Sequence, residues 1–201
     1  MSAWIRMIED SAASDELRDA LEMARTPHGT VDNVMRVHSL RPATMRGHVN
    51  LYRAVLHDEA NTLPQWLQEC LATWVSIINQ SEYSIANHWA NARHLIGDKS
   101  RADKIGTALF AGQPGDVFDG PEQALFDYAE KLTVSPGGMQ IDDVNKLRSA
   151  GFDDGEILEV NQIICYFNYV NRLLNGLGVT TEDDTVGYYT DADSDDMGAK
   201  Q

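Results

Sequence analysis

Apolar residues recur at helical spacing along almost the whole chain, and no stretch alternates with the period of a strand. Ser14 is placed to cap a helix over residues 15–25, with Leu17, Leu21 and Ala24 on one face and acids in the first turn. Thr26-Pro27-His28-Gly29 breaks it, and a short apolar segment follows at 34–40. Pro42 suits the first turn of a helix running to about residue 57. Residues 65–79 carry Leu67, Leu71, Trp74, Val75 and Ile78 on a helical period. A further helix runs from Ser81 to Ile96, closed by Gly97, a residue that readily takes the left-handed conformation at a helix end. Helices are also predicted over 99–110, from Pro121 through Leu132, over 141–150 before Gly151, and over 154–177. In the last, Ile157, Val160, Ile164, Phe167, Leu174 and Leu177 form the expected core face. The expected fold class is therefore all-α, with loops short enough for antiparallel neighbours.

Composition narrows the partners. The chain has 201 residues, enough for one domain with a substantial core or two small ones, and 43% of them are apolar. One domain is expected over residues 1–179, followed by an acidic Gly/Asp/Ser-rich tail over 180–201 that docks loosely or stays mobile. A formal charge of -15 argues against nucleic acid or an anionic membrane surface, because phosphate binding needs basic patches. No run of 18 apolar residues predicts a membrane span, and the N-terminus lacks the basic start and apolar stretch of a signal peptide. Cytoplasm is the expected compartment. A small-molecule substrate is the expected partner, with other copies of the chain. Trp66, Trp74, Trp89 and the long apolar helices suggest a symmetric homo-oligomer.

The most informative segment is Asn79-Gln80-Ser81-Glu82-Tyr83-Ser84-Ile85-Ala86-Asn87-His88. It resembles the redox motif of the carboxymuconolactone decarboxylase/alkylhydroperoxidase D-like family, in its peroxidase-related branch, where the pattern is Asn-x-Cys-x-Tyr-Cys-x-x-x-His. Asn79, Tyr83 and His88 match; Ser81 and Ser84 stand where the cysteines belong. Two other segments support the resemblance: 167–172 (Phe-Asn-Tyr-Val-Asn-Arg) with Gly176-Leu177-Gly178, and the early stretch from Pro27 to Val34. The resemblance implies an alkylhydroperoxidase D-like helical bundle, usually oligomeric. A dithiol works by a lowered thiol pKa and disulfide closure. Serine forms no disulfide and needs an adjacent base to act as a nucleophile. The two serines are either native, or a Cys-to-Ser pair that disables the site.

In the related hydroperoxidase a glutamate twelve residues before the first motif cysteine joins a proton relay with the histidine. Counting back twelve from Ser81 reaches Glu69. By helical spacing alone Glu69 falls on a wet face with Gln65 and Gln68; the resemblance assigns it to the site. Glu69 and His88 are 19 residues apart, roughly 28 Å along one unbroken helix, so they can meet only if the chain folds back near 79–81. Ser84 and His88 are at i,i+4 and Ser81 and His88 at i,i+7, hence on one face. The candidate catalytic set is His88, Glu69, Ser84, Ser81 and Tyr83, with His88 as acid–base and Ser84 within potential hydrogen-bond reach. Ser81 doubles as an N-cap candidate. Tyr83 either donates its hydroxyl to a substrate or packs.

Neither a metal nor an organic cofactor is expected: His88 and His94 do not share a helical face, and no Cys/His cluster occurs. His28, beside Gly29, either edges the pocket or lies on the loop surface. Cys70 and Cys165 read as buried small hydrophobes. Arg172 with Asn168 and Asn171 makes a polar stripe on the longest helix, suited to a carboxylate or to a structural tie. Residues 78–97 and 159–178 echo one another weakly, aligning Ser84 with Cys165. Three functions are compatible with these residues. They are acid–base chemistry on a small organic substrate without thiols, hydroperoxide reduction by a parent with cysteines restored, and a non-catalytic binding or assembly role.

Overall fold

The computed structural model describes residues 1–189; the rest of the acidic tail, 190–201, lies outside the described residues. Nine α-helices and no strand occur among them: α1 (Asp15–Met23), α2 (Asn33–Arg36), α3 (Pro42–Leu56), α4 (Gln65–Ile78), α5 (Glu82–Ile96), α6 (Lys99–Phe110), α7 (Gly120–Val134), α8 (Ile141–Ser149) and α9 (Asp154–Leu177). Their ends follow local chemistry. Ser14 accepts from the Leu17 N–H to cap α1. Asp153 and Glu156 form a capping box at the start of α9. Gly97 closes α5 at φ 67°.

Helix α4 is the centre of the molecule. It packs against α5, α7 and α9, so every residue from Leu67 to Ser76 is buried, polar ones included. Surrounding a helix on all sides removes the wet face that its amphipathic spacing implies. Gln68 and Glu69 are accordingly inside, while Gln65 stays exposed. The buried Glu69 carboxylate and the Gln68 amide nitrogen are paired, as burial favours. Gln68 donates to the Leu63 carbonyl at 2.7 Å and to Glu159 of α9 at 3.2 Å. The same Glu159 carboxylate accepts the Thr62 and Leu63 N–H groups just ahead of α4. A second, smaller core of Leu17, Leu21, Met35, Met45 and Val49 joins α1 and α2 to α3.

Chain reversal between α4 and α5 turns on Gln80, which sits at φ 54°. Asparagines hold this turn. Asn79 donates to Asn168 and Asn171 of α9, both at 3.1 Å, and Asn175 donates to the Asn79 carbonyl at 2.9 Å. Arg172 donates to its own helix, at the Asn168 carbonyl and side chain. The asparagines of the α9 polar stripe thus form a structural tie that fixes the turn.

Three expectations are corrected. Trp66, Trp74 and Trp89 pack within the chain: Trp74 is buried, Trp66 stacks on Phe118 beneath Arg101, and Trp89 meets Phe110 edge-on. They supply no argument for assembly. Cys165 is exposed, because it lies on the outer stripe of α9 with Leu158 and Tyr169, unlike the buried Cys70 and unlike Ser84. Lastly, the start of the tail is firmly docked. Asn33 donates to the Thr180 and Glu182 carbonyls at 3.0 and 2.8 Å, and its N–H meets the Asp184 carboxylate.

Candidate active site

Folding α5 back along α4 brings Glu69 and His88 together. His88 Nδ1 donates to Glu69 Oε2 at 2.6 Å, and Asn91 Nδ2 donates to the other carboxylate oxygen at 3.2 Å. Both Glu69 oxygens are therefore satisfied, which burial of a carboxylate demands. The Glu69 side chain is only 3% exposed and that of His88 12%. The Phe167 ring stands edge-on to the imidazole, centroids 4.5 Å apart. Directing Nδ1–H to Glu69 leaves Nε2 as the nitrogen available to a ligand.

His88 lines a cavity of about 250 Å³ between α1, α3, α5 and α9. Ser84, Asn87, His88 and Asn91 form its α5 wall, as i, i+3, i+4 and i+7 spacing dictates. Tyr52, His57, Tyr83, Tyr166 and Tyr188 add rings; Val49, Val170 and Leu174 add aliphatic surface; Arg25, Arg53 and Asp32 also contribute. Burial favours the uncharged form of three of these rings. It pushes the Tyr52 and Tyr166 hydroxyls up and the His57 imidazole down from their ordinary pKa values.

The predicted residues divide. Ser84 is buried and lines the cavity, yet no hydrogen bond joins it to His88 among the described residues. Ser81 does not reach the cavity. It stands in the turn before α5, where its side chain no longer follows the helical face. It occupies the N-cap position but makes no capping bond, and its hydroxyl is buried without a partner among the described residues. Tyr83 lines the cavity, but its hydroxyl donates to Asp184 at 2.6 Å and accepts from the Val34 N–H. Burial, then the Asp184 charge, raises that hydroxyl well above its usual range. His28 contacts the Gly187 carbonyl at 3.1 Å and so belongs to the tail contact rather than to a free loop. No group of three metal-ligating side chains is found among the described residues.

Sequence reasoning missed the ceiling of the cavity. Gly187 N–H donates to Asn87 Oδ1 at 3.0 Å, and Tyr188 N–H to Asn91 Oδ1 at 2.7 Å. The Tyr188 ring stacks on His57 with centroids 4.8 Å apart. Asn87 and Asn91 share the His88 face of α5, a clue available in the spacing; their partners lie about 100 residues away and left no local signal.

Comparison with known proteins places this arrangement in a fold class. No family model matches the sequence, and no curated protein matches it. Solved structures do. The alkylhydroperoxidase AhpD core of an uncharacterized peroxidase-related protein from Ralstonia eutropha JMP134 superposes with a TM-score of 0.78 at 21% identity, over 92% of this chain and 94% of that one. An uncharacterized peroxidase-related protein from Silicibacter sp. TM1040 gives 0.74 at 22% identity, over 89% and 91%. The debrominase Bmp8, in a Cys-to-Ala variant bound to 2,3,4-tribromopyrrole, gives 0.71 at 17% identity, over 91% and 94%. The fold is an all-α alkylhydroperoxidase D-like bundle.

Proposed function

We propose that this chain is an enzyme of the alkylhydroperoxidase D-like family that works without a redox dithiol, using His88 as acid–base on a small cyclic organic substrate. The observation that carries this reading is the Glu69–His88 hydrogen bond of 2.6 Å at the wall of a ring-lined cavity. Glu69 holds the imidazole in the tautomer with its proton on Nδ1. Nε2 then accepts a proton from a substrate carbon or hydroxyl and returns it later in the cycle. Ser84 offers a hydrogen bond to a polar substituent. The cavity volume suits a single substituted ring. Binding of a halogenated pyrrole by the structurally similar debrominase supports that size and shape.

The test starts from a ligand screen of lactones, 2-oxo acids, hydroxy acids and halogenated heteroaromatics, followed by turnover. His88→Ala is expected to lower kcat by about 10²- to 10⁴-fold, the range for a lost general acid–base. Glu69→Gln is expected to cost less. Wild-type turnover by His88→Ala would refute the reading.

One observation favours a second reading, a hydroperoxide reductase whose cysteines were replaced. The Ser81 hydroxyl is buried with no partner, an environment better matched to a weakly polar thiol. Restoring both thiols, Ser81→Cys with Ser84→Cys, should on this reading produce thiol-dependent reduction of organic hydroperoxides, which the chain as it stands should lack. We also propose self-association through the outer stripe of α9, where Leu158 and Tyr169 are exposed beside Cys165. Light scattering showing a monomer at micromolar concentration would refute it.

A further inference from the structure

The segment 180–189 returns from the end of α9 to cover the cavity, and one side chain touches both this strap and the chemical centre. Asn91 donates through Nδ2 to Glu69 Oε1 at 3.2 Å and accepts through Oδ1 from the Tyr188 N–H at 2.7 Å. Its side chain is buried, so losing either partner carries a cost. An amide is planar: moving Oδ1 swings Nδ2 with it. Elsewhere the strap is held by contacts that do not involve Glu69. Gly187 N–H bonds Asn87, Tyr83 bonds Asp184, and Tyr188 stacks on His57.

We propose that Asn91 is a positioning residue that couples strap docking to the orientation of the Glu69–His88 pair, so that the pair is fully aligned only when the strap covers the cavity. The chain of contacts is short: Tyr188 N–H fixes Asn91 Oδ1, Asn91 Nδ2 fixes one Glu69 oxygen, and the other oxygen fixes His88 Nδ1. When the strap lifts, Asn91 is free to turn, Glu69 loses one of its two restraints, and His88 loses its fixed partner. A strap lift also opens the cavity to a ligand. Entry and alignment thereby become alternate states of one element. The proposal rests on the acid–base reading of His88 for its catalytic meaning, but not for its test.

The test uses the full-length protein without substrate. Two signals are read: hydrogen exchange of the peptide covering 180–189, and the ¹⁵N and Nδ1-proton resonances of His88. Asn91→Ala should speed strap exchange by about tenfold, the worth of one ordinary hydrogen bond, and shift His88. Gly187→Ala perturbs from the strap side. Its φ of 93° disfavours a side chain, and an added Cβ would lie 3.3 Å from the Ala90 Cβ. It should speed strap exchange and also shift His88, because coupling is reciprocal. Asn91→Asp keeps an acceptor for Tyr188 but sets a second carboxyl against Glu69, so that the amide donor is replaced by a proton shared between the two carboxyls. It should therefore preserve strap protection while moving the His88 resonance, a split that loss of stability alone does not produce. A loosened strap with His88 unmoved in Gly187→Ala overturns the coupling. So does wild-type strap exchange in Asn91→Ala, or equal loosening in Asn91→Asp and Asn91→Ala. If these signals behave as expected while His88→Ala retains full turnover, the coupling stands and the acid–base reading falls. The reverse pattern leaves that reading intact and removes the coupling.

Discussion

Replacing Ser81 by alanine sets two rules against each other, and the geometry decides between them. A serine at an N-cap normally stabilises its helix, and its loss costs about 1 kcal/mol. Here the hydroxyl makes no capping bond and is buried without a partner among the described residues, in a residue with no exposed surface. An unsatisfied buried hydroxyl costs about 1–3 kcal/mol of desolvation that alanine would not incur. Against this stands the lost packing of a single oxygen, a few contacts of roughly 0.1–0.2 kcal/mol each. The backbone would be untouched, since the Ser81 N–H to the Ser76 carbonyl and the Ile85 N–H to the Ser81 carbonyl involve no side chain. Ser81→Ala should therefore stabilise the protein by about 1 kcal/mol, or roughly 2–4 °C in Tm for a chain of this size. Urea unfolding is the assay, with the midpoint rising at unchanged slope. A variant less stable by about 1 kcal/mol would show that the hydroxyl caps α5 after all, and would remove the basis for reading this position as shaped for a thiol.

Strap docking should weaken as pH rises. Burial and the nearby Asp184 charge push Asp32 up to about 6, while burial raises Asp184 too, despite the Tyr83 hydrogen bond and Arg36. A carboxyl raised in the folded state stabilises it fully below its ordinary value near 3.8, and that contribution is lost as pH climbs through about 6. Exchange of 180–189, corrected for the intrinsic pH effect, should therefore be faster at pH 8 than at pH 5, and Asp32→Asn should flatten the trend; an unchanged slope refutes it. Thiol titration of the native protein, diluted until it is monomeric, should find one accessible group, Cys165, with Cys70 appearing only on unfolding. Even Cys165 should react slowly near neutral pH, because the neighbouring α9 surface partly desolvates its thiol and raises its pKa; a fast-reacting thiol would contradict this.

Helix identity was legible in the chain because 3.6-residue spacing, Ser14, Pro42 and Gly97 act within a few residues of one another. The fold class followed, and the reversal near Asn79–Ser81 was implied by the need to bring Glu69 to His88. What spacing could not show was burial. Helix α4 looks one-sided in sequence, yet α5, α7 and α9 enclose it, so Gln68 and Glu69 become interior groups whose partners are chosen by packing. In α9 the reverse happened: Cys165, apolar by type, was left on the outer stripe. The Ser81 hydroxyl lost its capping role because capping depends on a side-chain rotamer and backbone angle, not on residue type. Above all, the cavity ceiling depends on bonds from Asn87 and Asn91 to a segment about 100 residues further on. Local sequence determines which hydrogen-bonding groups exist and which helical face they occupy. Only the closed chain determines which of them meet, because a hydrogen bond needs two atoms within about 3 Å, and that distance is set by every element packed between them.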